Sequence, residues 1–269
     1  AEIDLRQVGY LFLHTDPAGL AAAEQAVALQ NSMGVPTQLL TADEAARLSP
    51  GVVTDDVIGA TFHARDGYCS PESVVQGYAK AARELGATIR TGVEVTGIGT
   101  SGGEITSVTT SAGTIRTSGV VCAAGTWSQA VGEWVGVELP IEPLRRQILV
   151  TEPLSDDLLR LFHDDMPMTI DAASTFYLHR EGPGVLLGMS YKGETPGFHE
   201  TYSEEWLADL AEVMERRAPA LLDVGMAHRW AGLYETTPDH NAVIGEAAGV
   251  SRFVYAAGFS GHGFLQGPA

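Results

Sequence analysis

The sequence contains few cysteines, few basic residues and no long apolar run. Cys69 and Cys122 stand far apart with no C-x-x-C partner, which disfavours a disulfide framework or a cysteine zinc site and makes a reducing cytoplasm the default compartment. The 16 basic residues are outnumbered by 34 acidic ones, and a net charge of -18 opposes binding to nucleic acid or an anionic membrane. No apolar run approaches the roughly 20 residues that span a bilayer. These absences favour a cytoplasmic protein with no nucleic-acid partner and no membrane span.

The chain has enough apolar residues for one large core or two small ones. It has 269 residues, of which 45% are hydrophobic. The first residue is not Met, the chain starts in a strand-like segment, and it stops abruptly after a glycine-rich stretch. We therefore expect it to be a piece of a longer protein.

Helix and strand patterns alternate along the chain. Asp16-Pro17 and Ser203 have the residue types of helix starts, the Thr41-Ala-Asp-Glu44 segment reads as a capping box, and the helix predicted from Ser70-Pro71 carries apolar residues at helical spacing up to Leu85. Strand patterns surround these helices, for example over residues 8–13, 57–63, 146–151 and 185–191. The sequence predicts a mixed α/β (α+β) fold.

A G-x-G-x-x-G match at Gly97–Gly102 is interpreted as part of a hairpin. A dinucleotide fingerprint requires a helix after its glycines, whereas β-branched residues follow here. Strands are predicted over residues 87–98, 104–110 and 114–123, with the turn of the hairpin at Gly102-Gly103. The match therefore does not predict a nucleotide site.

The last stretch passes from a buried strand, residues 252–257, into a glycine-rich turn, residues 258–264, of the kind that opens a helix. Its Gly258-Phe-Ser-Gly-His segment narrowly misses the G-x-S-x-G elbow, which disfavours a serine hydrolase. The eight histidines show no paired ligand spacing, so no metal site is predicted. Backbone N–H groups of the turn are the predicted ligand contacts.

Several polar and aromatic residues have two possible roles, one structural and one functional. Tyr234 precedes a polar Glu235-Thr-Thr-Pro-Asp239 turn, where it serves either packing or a cleft. Arg145-Arg146 is either a structural ion-pair former or a carboxylate clamp. Trp230 is predicted to be a core aromatic.

An ordered set of motifs covers nearly the whole chain. They are Asp66-Gly67, the Ser70-Pro71 helix, Gly86-Ala87, Thr91-Gly-Val93, Val120-Val-Cys-Ala-Ala-Gly125-Thr-Trp127-Ser128, Trp230-Ala-Gly232-Leu-Tyr234-Glu-Thr-Thr-Pro238-Asp239 and Gly258-Phe-Ser-Gly-His-Gly-Phe264. In this order they resemble the D-amino-acid oxidase superfamily of FAD-dependent oxidoreductases, nearest to its sarcosine oxidase β-subunit and glycine oxidase-like members.

The resemblance implies an FAD-binding domain interleaved with a substrate domain on a mixed, largely antiparallel sheet. Carried over to this chain, the FAD-binding parts are residues 61–128 and 228–269, and the substrate parts are residues 1–60 and 129–227. The family's N-terminal βαβ unit, which carries its true G-x-G-x-x-G, has no counterpart in this sequence. We expect apolar surface to be exposed where that unit would pack, and weak or no FAD binding by these 269 residues alone.

The resemblance also implies site residues. The positions that match cofactor contacts are Val93, Ala124, Gly125, Trp127, Gly232, Gly258, Gly261, His262, Gly263 and Phe264. Glycines in the last turn would let backbone approach the flavin ring, and a following helix N-terminus would stabilise negative charge there. The candidates for catalysis and for holding a substrate carboxylate are Tyr234, Arg146, Tyr177 and His179, with Arg180 beside them.

Family chemistry transfers a hydride from the carbon next to an amine nitrogen to flavin N5. The implied substrate is a small secondary amine or amino acid such as sarcosine. Leu265 stands where many sarcosine oxidases carry a lysine associated with oxygen activation, and Gly232 stands where the monomeric branch attaches its flavin through cysteine. The expected cofactor is therefore non-covalent FAD, and an electron-acceptor subunit or another acceptor is a live alternative to oxygen.

Two other functions remain open at the level of sequence. The same scaffold oxidises 2-hydroxy acids or glycerol phosphate in other members of the superfamily. Alternatively, the chain is a non-catalytic subunit that lacks the nucleotide-binding unit and serves assembly.

Overall fold

The structure, a computed structural model, describes residues 2–268. The strands are β1 Tyr10–His14, β2 Gln38–Leu40, β3 Gly59–His63, β4 Val95–Ser101, β5 Glu104–Thr110, β6 Gly113–Arg116, β7 Val120–Cys122, β8 Glu142–Thr151, β9 Met168–Asp171, β10 Tyr177–Glu181, β11 Gly184–Met189, β12 Met226–Thr236, β13 Val243–Glu246 and β14 Phe253–Ala257. The α-helices are α1 Pro17–Ser32, α2 Ala42–Leu48, α3 Pro71–Glu84, α4 Ser128–Glu133, α5 Asp156–Leu161, α6 Glu204–Arg217 and α7 Gly263–Gln266. The predicted mixed α/β fold is confirmed.

Local capping signals set the starts of three helices. The Asp16 side chain accepts a hydrogen bond from the N–H of Gly19 at 2.7 Å, and a proline occupies the first turn of α1. Thr41 and Glu44 form both bonds of the predicted capping box of α2. Ser203 caps α6 by accepting from the N–H of Trp206. These predicted starts are confirmed because a cap depends on residues within one turn of each other.

The chain divides into two compact units. Unit 1 comprises the chain up to Val74, Arg146–Lys192 and Thr201–Ala231, and unit 2 comprises Val75–Arg145, Gly193–Glu200 and the chain from Gly232. Both units are discontinuous in sequence, and their boundaries lie at positions other than 60, 128 and 227. The assignment of FAD-binding and substrate roles to sequence segments stays a prediction.

Unit 1 is built on an eight-stranded sheet of order β12-β8-β11-β10-β9-β1-β3-β2, apart from the first residues of β8 and the last of β12. From β8 to β2 in this order, neighbouring strands pair antiparallel, except that β9 and β1 pair in parallel. One face packs on a core that includes Leu11, Leu178 and Leu187, and α6 adds the buried Trp206 and Leu210. The other face is therefore the one that can present polar groups.

Unit 2 contains two three-stranded sheets, β13-β14-β7 and β4-β5-β6. β14 pairs in parallel with β7 and antiparallel with β13. Phe253 and Cys122 are buried in the cluster that supports this sheet. The G-x-G-x-x-G match lies in β4 and the β4–β5 turn, which confirms the hairpin interpretation.

Three local predictions were wrong. Strand structure begins at Val95, where pairing with Thr110 begins, and residues 87–94 belong to no assigned strand. The strand predicted over residues 114–123 is two strands in different sheets, because the Thr117 side chain bonds both the N–H and the carbonyl of Gly119 and forms a turn. Trp230, predicted to be a core residue, is 46% exposed.

Apolar side chains of α3 face solvent in the described chain. Tyr78 of α3 is 62% exposed and Leu85, the first residue after α3, is 89% exposed, although their spacing predicts one apolar helix face. Val121 of β7 and Ile244 of β13 are also exposed. Among residues 2–268, no helix is both long enough and apolar enough to cross a bilayer.

Candidate functional site

The end of β12 and the glycine-rich turn are bonded to each other within unit 2. The carboxylate of Glu235 accepts a hydrogen bond from the N–H of Gly258 at 2.9 Å, and its carbonyl accepts one from the N–H of Ser260 at 3.0 Å. One residue of the strand end therefore holds two amides of the turn.

The turn has a backbone that requires its first and fourth residues to be glycine. Gly258 has φ +76°, and a Cβ there would lie 2.5 Å from Cγ2 of Thr237. Gly261 has φ +93°, and a Cβ there would lie 2.3 Å from Cε2 of Tyr234. A side chain at either position would be strained by its φ and would overlap its neighbour. The glycines thus allow Thr237 and the Tyr234 ring to contact the turn.

A buried hydroxyl completes this connection. Ser260 has φ +53° and is 8% exposed; its Oγ accepts from the N–H of Thr237 at 3.2 Å and lies 3.2 Å from the carbonyl oxygen of Gly258, to which it donates. The Oγ1 of Thr237 donates to the carbonyl of Asn241 at 2.9 Å. Strand end and turn therefore form one hydrogen-bonded element.

The predicted cofactor residues of this element differ in accessibility. Gly258 is buried and its N–H is used by Glu235, whereas Gly261, His262 and Phe264 are exposed. Gly232 is exposed too, and no described heavy atom lies within 4 Å of a Cβ built there. Accessible contacts here are those of Gly232 and of residues 261–264.

The predicted helix after the turn is short. α7 has four residues, with His262 at its N-cap and without a side-chain capping bond. A single turn carries little of the aligned dipole of a long helix. The described residues therefore give no support to the predicted charge stabilisation by a helix N-terminus.

A second group of predicted cofactor residues follows β7. Gly125 has φ +57° with no described atom within 4 Å of an added Cβ, and half-exposed Trp127 has its ring centroid 5.5 Å from that of Phe198. The buried hydroxyls of Thr126 and Ser128 find no hydrogen-bond partner among residues 2–268. Such groups favour an additional polar partner.

Val93 and Ala124, the two remaining predicted cofactor positions, are half-buried in unit 2. Val93 lies two residues before β4, and Ala124 lies two residues after β7 and packs against the unit 2 core. Every predicted cofactor residue is therefore in unit 2.

Three predicted substrate residues lie on one face of the unit 1 sheet. Tyr177 and His179 are two residues apart on β10, so their side chains share the face opposite to the core. Tyr177 pairs with Gly188, and Gly188 pairs with Ile148. Arg146 lies two residues before Ile148 on β8 and shares this face.

The two arginines of the basic pair have different environments. Nε of Arg145 donates to the Glu194 carboxylate at 2.8 Å, and the two side chains are only 14% and 4% exposed. This is the structural ion pair. Arg146 is half-buried and points to the opposite side of its strand, and its role as a carboxylate clamp stays a prediction.

Tyr177 and Arg180 show how the β10–β11 hairpin is packed. A Cβ at Gly188 would lie 2.1 Å from Cζ of Tyr177, so the glycine makes room for the tyrosine ring. Arg180 donates to the carbonyls of Gly182, Pro183 and Gly184, and its Nε to Asp164. Arg180 therefore holds the hairpin turn.

His179 is buried and neutral at neutral pH. Its ring centroid lies 4.1 Å from that of Tyr68, and Nδ1 lies 2.7 Å from the carbonyl oxygen of Arg180. Burial lowers the pKa of His179, while that carbonyl and the Glu181 carboxylate act to raise it. Burial also raises the pKa of the Tyr68 hydroxyl. Because Nδ1 faces a carbonyl oxygen, the neutral ring carries its proton on Nδ1, and Nε2 is a hydrogen-bond acceptor without positive charge.

The buried ring predicts acid-sensitive stability. Its folded pKa lies below the unfolded value of about 6.5, so the unfolded state binds more protons as the pH falls and stability is lost. We expect His179→Gln to reduce the slope of unfolding free energy between about pH 6.5 and 5, by at most about 1.4 kcal/mol per pH unit. Denaturant titrations at several pH values measure this slope.

The matched control for this prediction is His228→Gln on the exposed part of β12, which should leave the slope unchanged. The buried His14, whose pKa is also lowered mainly by burial, keeps part of the slope in both variants. Equal slopes in the two variants would contradict the prediction.

The sequence pattern does not predict the hydrogen bonds of Glu235, Thr237 and Ser260. The polar turn after Tyr234 was noticed, but its bonds to the glycine-rich turn join residues 23 positions apart. Among residues 2–268, no group of three or more His, Cys, Asp or Glu side chains is placed to hold a metal ion.

The sequence matches a known protein family over all 269 residues. The family described as DAO, FAD dependent oxidoreductase, matches residues 1–269. The chain belongs to this family. The predicted resemblance is confirmed, and FAD is the cofactor on which the family depends.

The family's curated members include larger proteins than this chain. Human mitochondrial sarcosine dehydrogenase is 28% identical over 97% of this chain, which spans 29% of the length of that relative. FAD-dependent oxidoreductase domain-containing protein 1 of Xenopus laevis is 26% identical over the full chain and 60% of its own length.

Solved structures share the fold. L-proline dehydrogenase from P. horikoshii is 32% identical with a TM-score of 0.91, covering 99% of this chain and 70% of that one. Glycine oxidase from Geobacillus kaustophilus is 23% identical with a TM-score of 0.86, covering 99% and 69%. The family fold therefore extends over almost the entire chain.

Proposed function

We propose that the complete protein is an FAD-dependent oxidoreductase that oxidises a small secondary amine or amino acid such as sarcosine. The observation that carries this proposal is the match of the whole chain to the family. The packing of Tyr234 on the glycine-rich turn at Gly261 supports it. Relatives named for sarcosine and L-proline support the substrate class.

The unit 2 residues fit a planar flavin. Gly232 presents backbone to open space two residues before Tyr234 on the same strand face, so a ring can approach the main chain there. Exposed Gly261, His262 and Phe264, with half-buried Gly263 among them, offer a second backbone contact. Gly232, Tyr234 and this turn would hold the ring.

The residues after β7 fit the polar part of the cofactor. The unpartnered hydroxyls of Thr126 and Ser128 next to Gly125 are suited to polar groups, and Trp127 offers an aromatic surface. Val93, Ala124, Gly125 and Trp127 are proposed to contact the adenosine and phosphate groups. A glycine at position 232 provides no atom for covalent attachment, which favours non-covalent FAD.

Bound FAD would supply the redox chemistry by accepting a hydride from the carbon next to the substrate nitrogen. The protein's part is to orient and bind. Arg146 is proposed to bind the substrate carboxylate through paired N–H groups, and Tyr177 to donate a hydrogen bond from the same sheet face. Nε2 of neutral His179 is proposed to accept one, because the proton on Nδ1 is donated to the carbonyl of Arg180. Tyr234, fixed by Gly261, is the proposed active-site tyrosine of unit 2.

Electron transfer to an acceptor other than oxygen is part of this proposal. Leu265 occupies the position of the oxygen-associated lysine and is 69% exposed. Two of the compared relatives are named dehydrogenases, which supports the same choice. The predicted partners are therefore a small amine substrate and an electron-accepting dye, cofactor or subunit, and the predicted compartment stays the cytoplasm.

The complete protein, purified and reconstituted with FAD, tests the proposed function. We expect flavin absorbance in stoichiometric amount and its anaerobic bleaching by sarcosine, proline or another secondary amino acid. Absence of bound flavin would contradict the cofactor assignment. Bleaching by 2-hydroxy acids or glycerol phosphate but not by amines would contradict the substrate class, and bound flavin with no bleaching would favour a non-catalytic role.

Arg146→Met tests the carboxylate anchor. Loss of a charge-assisted hydrogen bond of about 1.5–3 kcal/mol should raise the KM for sarcosine about 10- to 100-fold. The KM for the carboxamide analogue of sarcosine, which lacks the charge, should change little. Steady-state assays with a dye acceptor measure both constants.

Arg47→Met provides the control, because Arg47 is an exposed arginine of α2 in the same unit. It should leave both KM values unchanged. An equal rise for sarcosine and its carboxamide in the Arg146 variant would assign Arg146 to general packing instead.

A further inference from the structure

Glu235 is the residue that joins the end of β12 to the glycine-rich turn. Its carboxylate receives the N–H of Gly258 and its carbonyl receives the N–H of Ser260. The side chain is half-buried, and the hydrogen bond from Gly258 is partly shielded from water. These two bonds come from alternate residues of the turn.

The amide of Gly258 needs an acceptor at this place. Ala257, the last residue of β14, pairs with Val243 of β13. Gly258 is the next residue and therefore has no partner in β13. Gly258 itself is buried and has a left-handed backbone. A buried N–H without an acceptor is destabilising, and the carboxylate of Glu235 provides the acceptor.

The bonds of Glu235 also decide which surface the turn presents. With the amides of Gly258 and Ser260 directed toward Glu235, the exposed side of the turn is formed by Gly261 and the residues after it. Gly261 is in van der Waals reach of the Tyr234 ring, which immediately precedes Glu235. The position of Gly261 relative to Tyr234 therefore depends on Glu235, which follows Tyr234 in β12 and bonds the turn.

We propose that Glu235 is a positioning residue for the FAD site, acting through the hydrogen bond of its carboxylate oxygen with the N–H of Gly258. This inference rests on the proposed function, because it assumes that the ring of FAD contacts Gly261–Phe264. The requirement is for an acceptor oxygen at the end of a side chain of this length. Negative charge at position 235 is not required.

Three substitutions of Glu235 separate the effect of side-chain length from the effect of negative charge. Glu235→Gln keeps an oxygen at the same distance along the side chain and removes the charge. Glu235→Asp keeps the charge but is one methylene shorter, so its oxygen falls short of Gly258. Glu235→Ala removes the acceptor. A purely electrostatic role predicts that Asp is the better substitute, whereas positioning predicts Gln.

The matched control is Glu246→Ala. Glu246 also accepts a hydrogen bond from a backbone amide with its carboxylate, from Arg252 at 2.6 Å. Arg252 precedes β14, whereas Gly258 follows it. The control therefore breaks the same kind of bond at the opposite end of the same strand.

The experiment titrates FAD into the flavin-free complete protein and its variants, and follows thermal unfolding without FAD to verify folding. We expect the Kd for FAD to rise about 10-fold or more in the Asp and Ala variants. The Gln and Glu246→Ala variants should remain within about 3-fold of the wild type, as a retained or remote hydrogen bond predicts. The visible absorption band of bound flavin should change in Asp and not in Gln.

Several outcomes would overturn the inference. If the wild type binds FAD and the Asp and Ala variants bind it equally well, only the positioning role fails. The same holds if Asp is better than Gln, or if Glu246→Ala weakens binding as much as Glu235→Ala. If Glu235→Ala does not fold, the Kd values for FAD of Glu235→Asp and Glu235→Gln are compared instead, and the inference requires weaker binding by Glu235→Asp. A wild type that binds no FAD removes the proposed function as well.

Discussion

Replacing Gly261 with alanine is expected to weaken FAD binding by about 10- to 100-fold in the complete protein. Gly261 has φ +93°, which costs an alanine about 1–2 kcal/mol. The added Cβ would also lie 2.3 Å from Cε2 of Tyr234, far inside contact distance. Either the ring or the turn must move, and both are proposed to contact the flavin. Titration of flavin-free protein with FAD measures the effect.

The control for this substitution is Gly136→Ala. Gly136 has φ +73° in the same unit, and no described atom lies within 4 Å of a Cβ built there. This variant carries the backbone strain without the displacement of Tyr234. Its unfolding midpoint should fall, but its Kd for FAD should not change. Equal FAD affinities in the two glycine variants would show that the packing of Tyr234 on Gly261 is unimportant for the cofactor.

Arg217→Met is expected to destabilise the protein by about 3–5 kcal/mol. Nε of Arg217 donates to the Asp171 carboxylate at 2.7 Å, and both side chains are 5% exposed. Arg217 also makes a bidentate contact with Asp56, whose pKa it lowers by hydrogen bonding. Methionine fills much of the volume but leaves the Asp171 charge buried without its cation. Denaturant unfolding of wild type and variant gives the difference.

An exposed ion pair of the same chemistry provides the comparison. Arg160 and Asp157 on α5 form a salt bridge at 3.0 Å, with side chains 78% and 89% exposed. Water screens this pair, so Arg160→Met should change the unfolding free energy by less than about 0.5 kcal/mol. A similar loss in both variants would mean that burial does not govern the contribution of Arg217. Because the chain has two units, the comparison should use the transition of unit 1.

Local features of the fold could be predicted from the sequence because they depend on near neighbours. The cap of α1 at Asp16 and the capping box of α2 act over three residues. The Gly102-Gly103 turn closes a hairpin between adjacent segments. The start of α6 at Ser203 was predicted for the same reason, because its cap bonds the N–H of Trp206 three residues later.

The errors arose where pairing or packing partners are remote. Residues 87–94 have strand-forming composition, but a strand also requires a neighbour that supplies hydrogen bonds. The segment 114–123 looks continuous, yet β6 pairs with β5 and β7 pairs with β14. Trp230 is apolar and aromatic, but the residue type does not predict which face of its strand is packed against other parts of the protein.

The candidate site shows the same division. The glycine-rich turn, Tyr234 and the family itself were recognisable in the sequence, because glycine spacing and motif order are written along the chain. Only the tertiary structure decided that Glu235 holds the amide of Gly258, 23 residues away, and that Arg217 meets Asp56 across 161 residues. Such bonds form only when burial of the core brings segments that are remote in sequence close together in space. The local sequence pattern does not predict which remote segments will meet.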